Sequence, residues 1–242
     1  MKKWLMGAAA AGIAAVSFSG TASAVPVALE LALVVDASGS ISSSNWNLQM
    51  TGYHNALTSV LPTDGSVAVS VIRFATNASV VRSMTQINSA GDRDALADFF
   101  LTLSQSGNGN STCISCGIFS GEGTLDSDPL TKGVIDVSTD GEWNTGVDPN
   151  GPAGTSGTAE WAVANDADVV NALGIGTGTA PNFAHGPGSF SLLADSFADF
   201  EATLRTKLLR ETGQDVPEPA ALAMFGAMLV GLGALGRRRR RA

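Results

Sequence analysis

Residues 27–40 read VALELALVVDASGS, a nearly continuous apolar run that gives way abruptly to Asp36 and two serines. An apolar run of this length without alternation is typical of a central parallel strand that is covered on both faces. Glu30 interrupts the run early, and we expect it at the exposed start of the strand. The stretch therefore predicts a buried strand that ends in a polar turn.

Strand-like and helix-like segments alternate along the rest of residues 25–214. β-branched and apolar runs predict further strands over 66–74, 78–84, 131–139 and 168–175. Helices are predicted from an N-cap at Ser44 to just before Pro62, from Ser89 or Asp92 to residue 103, over 112–121, over 158–166, and from an N-cap at Ser196 to about residue 210. The alternation predicts one domain of the α/β class, with a doubly wound, mostly parallel central sheet flanked by helices.

Polar residues follow the predicted strands at one edge of this sheet. Ligands of open α/β sheets bind beyond the carboxyl ends of the strands, where the strand order reverses. Asp36, Ser38 and Ser40 follow the first strand, Asp140 follows the strand over 131–139, and the glycine-rich loop over 104–111 leads to Thr112. Oxygen ligands without His or thiolate suit Mg²⁺, Mn²⁺ or Ca²⁺. Two carboxylates leave such an ion under-neutralised, so it would still attract a carboxylate from outside.

The spacing of these residues resembles the metal-ion-dependent adhesion site of von Willebrand factor A domains, and the resemblance spans about residues 27–211. It implies the doubly wound fold named above. It implies that Ser38, Ser40 and Thr112 bind the metal, Mg²⁺ foremost, and that Asp36 and Asp140 act through bound water. The last position would be filled by an acidic side chain of a protein partner. VIDVSTDG at 134–141, GPGSF at 186–190 and ADFEATLRTKLLRE at 198–211 resemble a bacterial subfamily of uncharacterised exported proteins.

Cys113 and Cys116 directly follow Thr112. In an exported protein this spacing favours a structural disulfide across the start of a helix, although a redox-active pair and free thiols stay open. A tetrahedral zinc site is not favoured, because the chain has two cysteines in total and no second pair to complete it. Trp143, three residues after Asp140, is expected at the rim of the site, as a loop anchor or as a partner contact.

The first 24 residues have the order of a secretory signal. Lys2 and Lys3 precede an apolar run over residues 5–18, which is followed by the small residues Ala22, Ser23 and Ala24. We expect cleavage after Ala24, and an uncleaved membrane anchor is the alternative.

Residues 215–242 resemble the PEP-CTERM sorting signal of exported bacterial proteins. Pro217, Glu218 and Pro219 precede an apolar stretch over residues 220–236, and arginines fill positions 237–241. The resemblance implies transient insertion into the membrane, processing by an exosortase-type enzyme, and delivery to the cell surface or extracellular matrix. A plain transmembrane anchor is the alternative reading, and the arginines would stay in the cytoplasm in either case.

The charge of the chain limits its partners. The formal net charge is −8, and seven of the 14 basic residues lie in the two terminal segments. A body this acidic does not favour binding to nucleic acid, which requires Lys and Arg against phosphate. The oxygen-only site, the two export signals and the resemblance to von Willebrand factor A domains together imply a non-enzymatic, metal-dependent adhesion or protein-binding domain. The alternatives are a matrix protein whose metal only stabilises the fold, and a Mg²⁺-dependent phosphohydrolase.

Overall fold

The computed structural model describes residues 25–214. The predicted secretory signal (1–24) and the predicted sorting signal (215–242), with its motif at Pro217, Glu218 and Pro219, lie outside the described residues. Within 25–214, none of the helices is long and apolar enough to cross a membrane. The elements in chain order are β1 (Leu29–Asp36), α1 (Ser43–Val60), β2 (Val67–Phe74), β3 (Ala78–Gln86), α2 (Ala90–Thr102), α3 (Ile114–Glu122), β4 (Lys132–Thr139), α4 (Ala159–Val163), β5 (Val169–Ile175), β6 (Ser191–Ala194) and α5 (Phe200–Glu211).

These strands form one sheet in the order β3-β2-β1-β4-β5-β6. All neighbouring strands are parallel except β2 and β3, which are antiparallel. The predicted doubly wound, mostly parallel α/β fold is therefore confirmed. The strand order reverses between β1 and β4, so the carboxyl ends of these two strands mark the expected ligand-binding edge.

Strand β1 is buried along its whole length because helices cover both faces of the sheet. Leu31 and Leu33 belong to the core under α1, α2 and α5, whereas Ala32 and Val34 belong to the core under α3 and α4. This alternation across two cores explains why the run is apolar at nearly every position. Glu30 is an exception to the prediction: it is buried, because its Oε2 accepts a 2.6 Å hydrogen bond from the backbone N–H of Asp126.

The helix starts differ from the predictions in ways that local hydrogen bonds explain. Helix α1 is capped by Ser42 instead of Ser44, since the Ser42 hydroxyl accepts from the N–H of Asn45. Helix α2 begins after Ser89, as predicted. Helix α5 begins at Phe200 with Asp199 at its N-cap, because Ser196 uses its hydroxyl to close a turn with Ala198 and Asp199.

The remaining differences concern α3, α4 and β6. Helix α3 starts at Ile114, two residues after the predicted start, and α4 is only one turn long. Strand β6 was not predicted. It has four residues, mostly half-buried, and pairs only with β5, so its sequence carries little periodicity.

A buried cluster of charges fastens α5 to the sheet. Lys207 of α5 forms ion pairs with Asp136 of β4 and, at 3.0 Å, with Glu211 of α5, and all three side chains are buried. Asn171 of β5 donates a 2.9 Å hydrogen bond to Oε1 of Glu211. This cluster was not predicted from the sequence.

Candidate metal centre

The centre begins where β1 and β4 end side by side. Val35 of β1 is in register with Ser138 of β4, so Asp36 comes to lie beside Thr139. The Thr139 hydroxyl donates a 2.6 Å hydrogen bond to Oδ2 of Asp36, and Oδ1 of Asp36 accepts one of 2.8 Å from the N–H of Ser38. Asp36 is fully buried. Its carboxylate is therefore fixed at the carboxyl edge of the sheet.

The two serines of the β1–α1 turn connect Asp36 to Asp140. The hydroxyls of Ser38 and Ser40 lie 3.0 Å apart, and the Ser40 hydroxyl donates a 2.7 Å hydrogen bond to Oδ1 of Asp140. Four of the five residues predicted to form the metal site are thus joined in one chain of short contacts. Two carboxylates and two hydroxyls face one another at the reversal point of the sheet.

Thr112, the fifth residue, is brought alongside by backbone contacts. The N–H of Gly39 donates a 2.8 Å hydrogen bond to the carbonyl of Asn110, which fastens the loop before Thr112 to the serine turn. Thr112 is buried, and its N–H and carbonyl both bond to Asn144, at 2.9 and 3.0 Å. Among the described residues, no hydrogen bond joins Thr112 to the other four. Its position depends on the loop.

The loop is held by residues of the β2–β3 turn. The hydroxyl of Thr76 accepts hydrogen bonds from the N–H groups of Asn110 and Ser111, at 3.1 and 3.0 Å. A side chain at Gly39 would crowd the loop, because an added Cβ would lie 3.2 Å from Cβ and 3.3 Å from the carbonyl oxygen of Asn110. The turn and the loop therefore pack backbone against backbone.

Cys113 and Cys116 form a disulfide at the start of α3. Cys113 is the N-cap of the helix, and its N–H donates a 2.8 Å hydrogen bond to the carbonyl of Ala75. The bond thus closes the first turn of α3 directly after Thr112. It restricts the backbone on the side where Thr112 is presented.

Burial raises the pKa of both carboxylates of the centre. Desolvation raises the pKa of Asp36 to about 6, and the hydrogen bonds from Thr139 and Ser38 offset this only in part. Desolvation also raises the pKa of Asp140, which the bond from Ser40 counteracts. Each carboxylate lacks a cationic side chain, since the ion pairs found among residues 25–214 involve neither of them. A bound cation would stabilise both in their ionised form.

The donor set fits a hard divalent cation. Residues 25–214 hold no group of three or more His, Cys, Asp or Glu side chains that could bind a metal, so an ion at this edge would rest on hydroxyl oxygens as well as on carboxylates. Oxygen donors of this kind match Mg²⁺, Mn²⁺ and Ca²⁺.

The sequence did not single out Thr139 and Asn144. Thr139 precedes Asp140 at the end of a strand, which is the position where a side chain can turn toward the neighbouring strand's last residue. Asn144 lies in a loop whose path the sequence does not define. Thr139 could have been found from the strand ends, whereas Asn144 had no signal.

The sequence model of one protein family matches residues 26–216, nearly the whole of the described part. The family is described as "Protein of unknown function (DUF1194)". The chain belongs to the DUF1194 family. A comparison with curated proteins gives no match.

Several solved structures share this α/β fold, and they are von Willebrand factor A-like. Proximal thread matrix protein 1 from the mussel byssus, with a zinc-occupied MIDAS motif, matches with a TM-score of 0.57 at 16% identity, over 77% of this chain and 48% of that chain. The pilus adhesin SpaC from Lactobacillus rhamnosus GG matches with a TM-score of 0.56 at 20% identity, over 77% and 31%. The conserved hypothetical protein BatB from Bacteroides thetaiotaomicron matches with a TM-score of 0.53 at 16% identity, over 77% and 100%.

The structural similarity shows that the DUF1194 chain shares the fold of these proteins, and at 16–20% identity it shows the fold alone. The chain corresponds to about half of the mussel matrix protein and to less than a third of the pilus adhesin. The similarity therefore concerns one domain of those longer proteins.

Proposed function

We propose that this chain is a non-enzymatic, divalent-metal-dependent adhesion or protein-binding domain. The observation that carries the proposal is the chain of contacts from Asp36 through Ser38 and Ser40 to Asp140, at the point where the strand order reverses. The side chains that meet there come from the ends of β1 and β4, and all of their potential metal-binding atoms are oxygens. Such an arrangement suits cation binding and carries no His or free thiol for covalent or acid–base catalysis.

In this proposal Ser38, Ser40 and Thr112 bind the ion, and Asp36 and Asp140 hold it through bound water. Mg²⁺ is the expected ion, and Mn²⁺ or Ca²⁺ could replace it. The zinc in the MIDAS motif of the mussel matrix protein supports a divalent cation in general. A bound ion would supply a positively charged position for the carboxylate of an Asp or Glu on the partner protein.

We propose further that the domain acts outside the cell, at the surface or in the extracellular matrix. The predicted secretory signal at 1–24 and the resemblance of residues 215–242 to a PEP-CTERM segment support export, transient membrane insertion and processing by an exosortase-type enzyme. The presence of a pilus adhesin and a byssal thread matrix protein among the structural neighbours is consistent with this location.

A phosphohydrolase fits the site less well. Enzymes that place a nucleophilic Asp after the first strand also use an Asp two residues later, and here that position is Ser38. Lys132 is the first residue of β4, at the opposite end of the strand from Asp140. Lys132 is therefore too far along the strand to balance a phosphate at this edge. Arg73, near the end of β2, is already bonded to Asn108 and to the carbonyl of Ser104 in the neighbouring loop.

The test is a binding assay against bacterial matrix extract with Mg²⁺ or with EDTA. The Asp36→Asn variant removes the buried charge at nearly constant shape, and Asp98→Asn removes a surface carboxylate of α2 that pairs with His54. We expect Mg²⁺-dependent capture of a protein by the wild type and by Asp98→Asn, but not by Asp36→Asn. Capture that persists in EDTA would contradict the proposal. Metal-dependent melting without any metal-dependent partner would indicate a purely stabilising site.

A further inference from the structure

A cavity of about 320 Å³ opens directly beside the candidate metal centre. Gly141, which follows Asp140, lies in its wall, so the cavity and the centre share one loop. Ile114 and Phe183 provide apolar surface, and Trp143 stands at the rim with 41% of its surface exposed. A ligand in this cavity therefore lies next to the loop that carries Asp140.

The charged side chains that line the cavity are all acidic. Glu142 and Asp148 line it, and the lining contains no Lys, Arg or His. Neither carboxylate takes part in the ion pairs formed among residues 25–214. Two exposed carboxylates beside an indole ring favour a cationic side chain, since the ring face and the carboxylates attract the same charge.

Both walls of the cavity are fastened to the core. On one side, Asn144 bonds to the backbone of Thr112, and the N–H of Val147 donates a 3.1 Å hydrogen bond to the hydroxyl of Ser115. On the other side, Pro181 packs against Gly174 of β5, where an added Cβ would lie 3.0 Å from its ring. The cavity is therefore formed before any ligand arrives, which lowers the entropy cost of binding.

We propose that this cavity binds a Lys or Arg side chain of the protein partner, next to the acidic residue that the metal holds. The partner would then present one acidic and one basic side chain close together. The inference rests on the proposed function for the acidic contact only. The cation site itself depends on Trp143, Glu142 and Asp148, and can be tested without metal.

The first experiment measures the cation site alone, in EDTA. N-acetyl-arginine methylamide and its neutral isostere N-acetyl-citrulline methylamide are titrated onto the purified protein while tryptophan fluorescence is recorded. We expect the arginine probe to change the tryptophan fluorescence, and Trp143→Phe, which removes the reporting indole, to abolish the change. The citrulline probe should reach half-saturation only at a concentration at least about tenfold higher. Glu142→Gln combined with Asp148→Asn should weaken arginine binding about tenfold, whereas Glu160→Gln on α4 should not change it. Equal binding of the two probes, or no binding, would overturn the proposal.

The second experiment connects the two sites. Peptides with one Asp and one Arg, separated by glycine spacers of increasing length, are compared in Mg²⁺ with peptides in which citrulline replaces Arg. We expect one spacer length to bind best, and we expect Glu142→Gln with Asp148→Asn to remove the preference for Arg while the requirement for Mg²⁺ remains. Arg preference without any effect of Mg²⁺ would overturn the proposed metal function and leave the cation site intact. Mg²⁺ dependence without Arg preference would overturn the cation site.

Discussion

Ser40 donates a 2.7 Å hydrogen bond to Oδ1 of Asp140, a residue 100 positions later in the chain. This contact joins the turn after β1 to the end of β4, across the point where the strand order reverses. It brings together the two parts of the candidate metal centre that the sequence separates most widely.

Replacing Asp36 with Asn should remove the metal-dependent part of the protein's stability. At a Mg²⁺ concentration about 100 times the dissociation constant, binding should raise the free energy of unfolding of the wild type by about 2.7 kcal/mol. The variant should gain close to nothing, because the buried negative charge near the ion is lost. Thermal unfolding with Mg²⁺ and with EDTA measures the difference, with Asp98→Asn as the control. A variant that still melts higher in Mg²⁺ would show that Asp36 is not part of the site.

Reduction of the Cys113–Cys116 disulfide should weaken metal binding. The bond closes the first turn of α3 next to Thr112. Without it, the backbone at Thr112 is less restricted, so the hydroxyl of Thr112 is held less firmly toward the metal site. We expect the apparent Mg²⁺ affinity to fall about tenfold, the lower end of the range for losing a group that orients a metal ligand. Calorimetric titration before and after dithiothreitol tests this. A Cys113→Ser, Cys116→Ser variant should match the reduced protein and ignore the reductant, and an unchanged affinity would refute the coupling.

Substitution of Lys207 should be strongly destabilising. Lys207 is the cation paired with the buried Asp136 and Glu211, so Lys207→Met leaves a buried carboxylate without its counter-charge. We expect a loss of about 3–5 kcal/mol in the free energy of unfolding. Lys132→Met, at the exposed first position of β4, should stay within about 0.5 kcal/mol of the wild type. Urea unfolding measures both, and a small effect at Lys207 would show that the cluster tolerates an apolar replacement.

The same cluster should make stability depend on pH. Burial, followed by the charge of Asp136, raises the pKa of Glu211 from 4.5 to about 8. Between these two values the folded state holds a proton that the unfolded state releases, so the contribution of Glu211 to stability is fully present below pH 4.5 and is lost as the pH rises through about 8. Between the two pKa values, this group changes the free energy of unfolding by at most about 1.4 kcal/mol per pH unit. Urea unfolding of the wild type and of Glu211→Gln from pH 5 to 9 isolates this contribution, which should be absent from the variant. Parallel pH profiles would contradict it.

Gly146 should be intolerant of a side chain. Its φ of 81° lies in the left-handed region, and an added Cβ would collide with Sγ of Cys113 and with the hydroxyl of Ser115. We expect Gly146→Ala to cost about 1–3 kcal/mol and to weaken binding at the neighbouring cavity. Gly141→Ala is the matched control in the same loop, because an added Cβ there meets nothing within 4 Å. Thermal unfolding compares the two, and equal stability would show that the loop shifts freely.

The sequence by itself determined the fold class and most of the candidate centre. The apolar run of β1 is buried on both faces, so its hydrophobic pattern is nearly independent of the details of packing. Asp36 ends β1, Ser38 lies two residues later, and Asp140 follows β4, so pairing of the two strands brings these residues to one edge. Helix starts were less well defined, because Ser42, Ser44 and Ser196 are all good caps and only the local backbone decides which hydroxyl is used.

Only the tertiary structure decided how distant segments use these residues. Lys207 is an ordinary helical cation in the sequence, and it becomes a core residue because α5 packs over Asp136. Glu30 is buried for a similar reason, since the backbone of Asp126 reaches it from a loop 96 residues away. The cavity of Trp143 and Phe183 depends on where two loops are fastened. Hydrophobic periodicity is a local property, whereas the pairing of buried charges and the placement of loops depend on contacts between segments far apart in the chain.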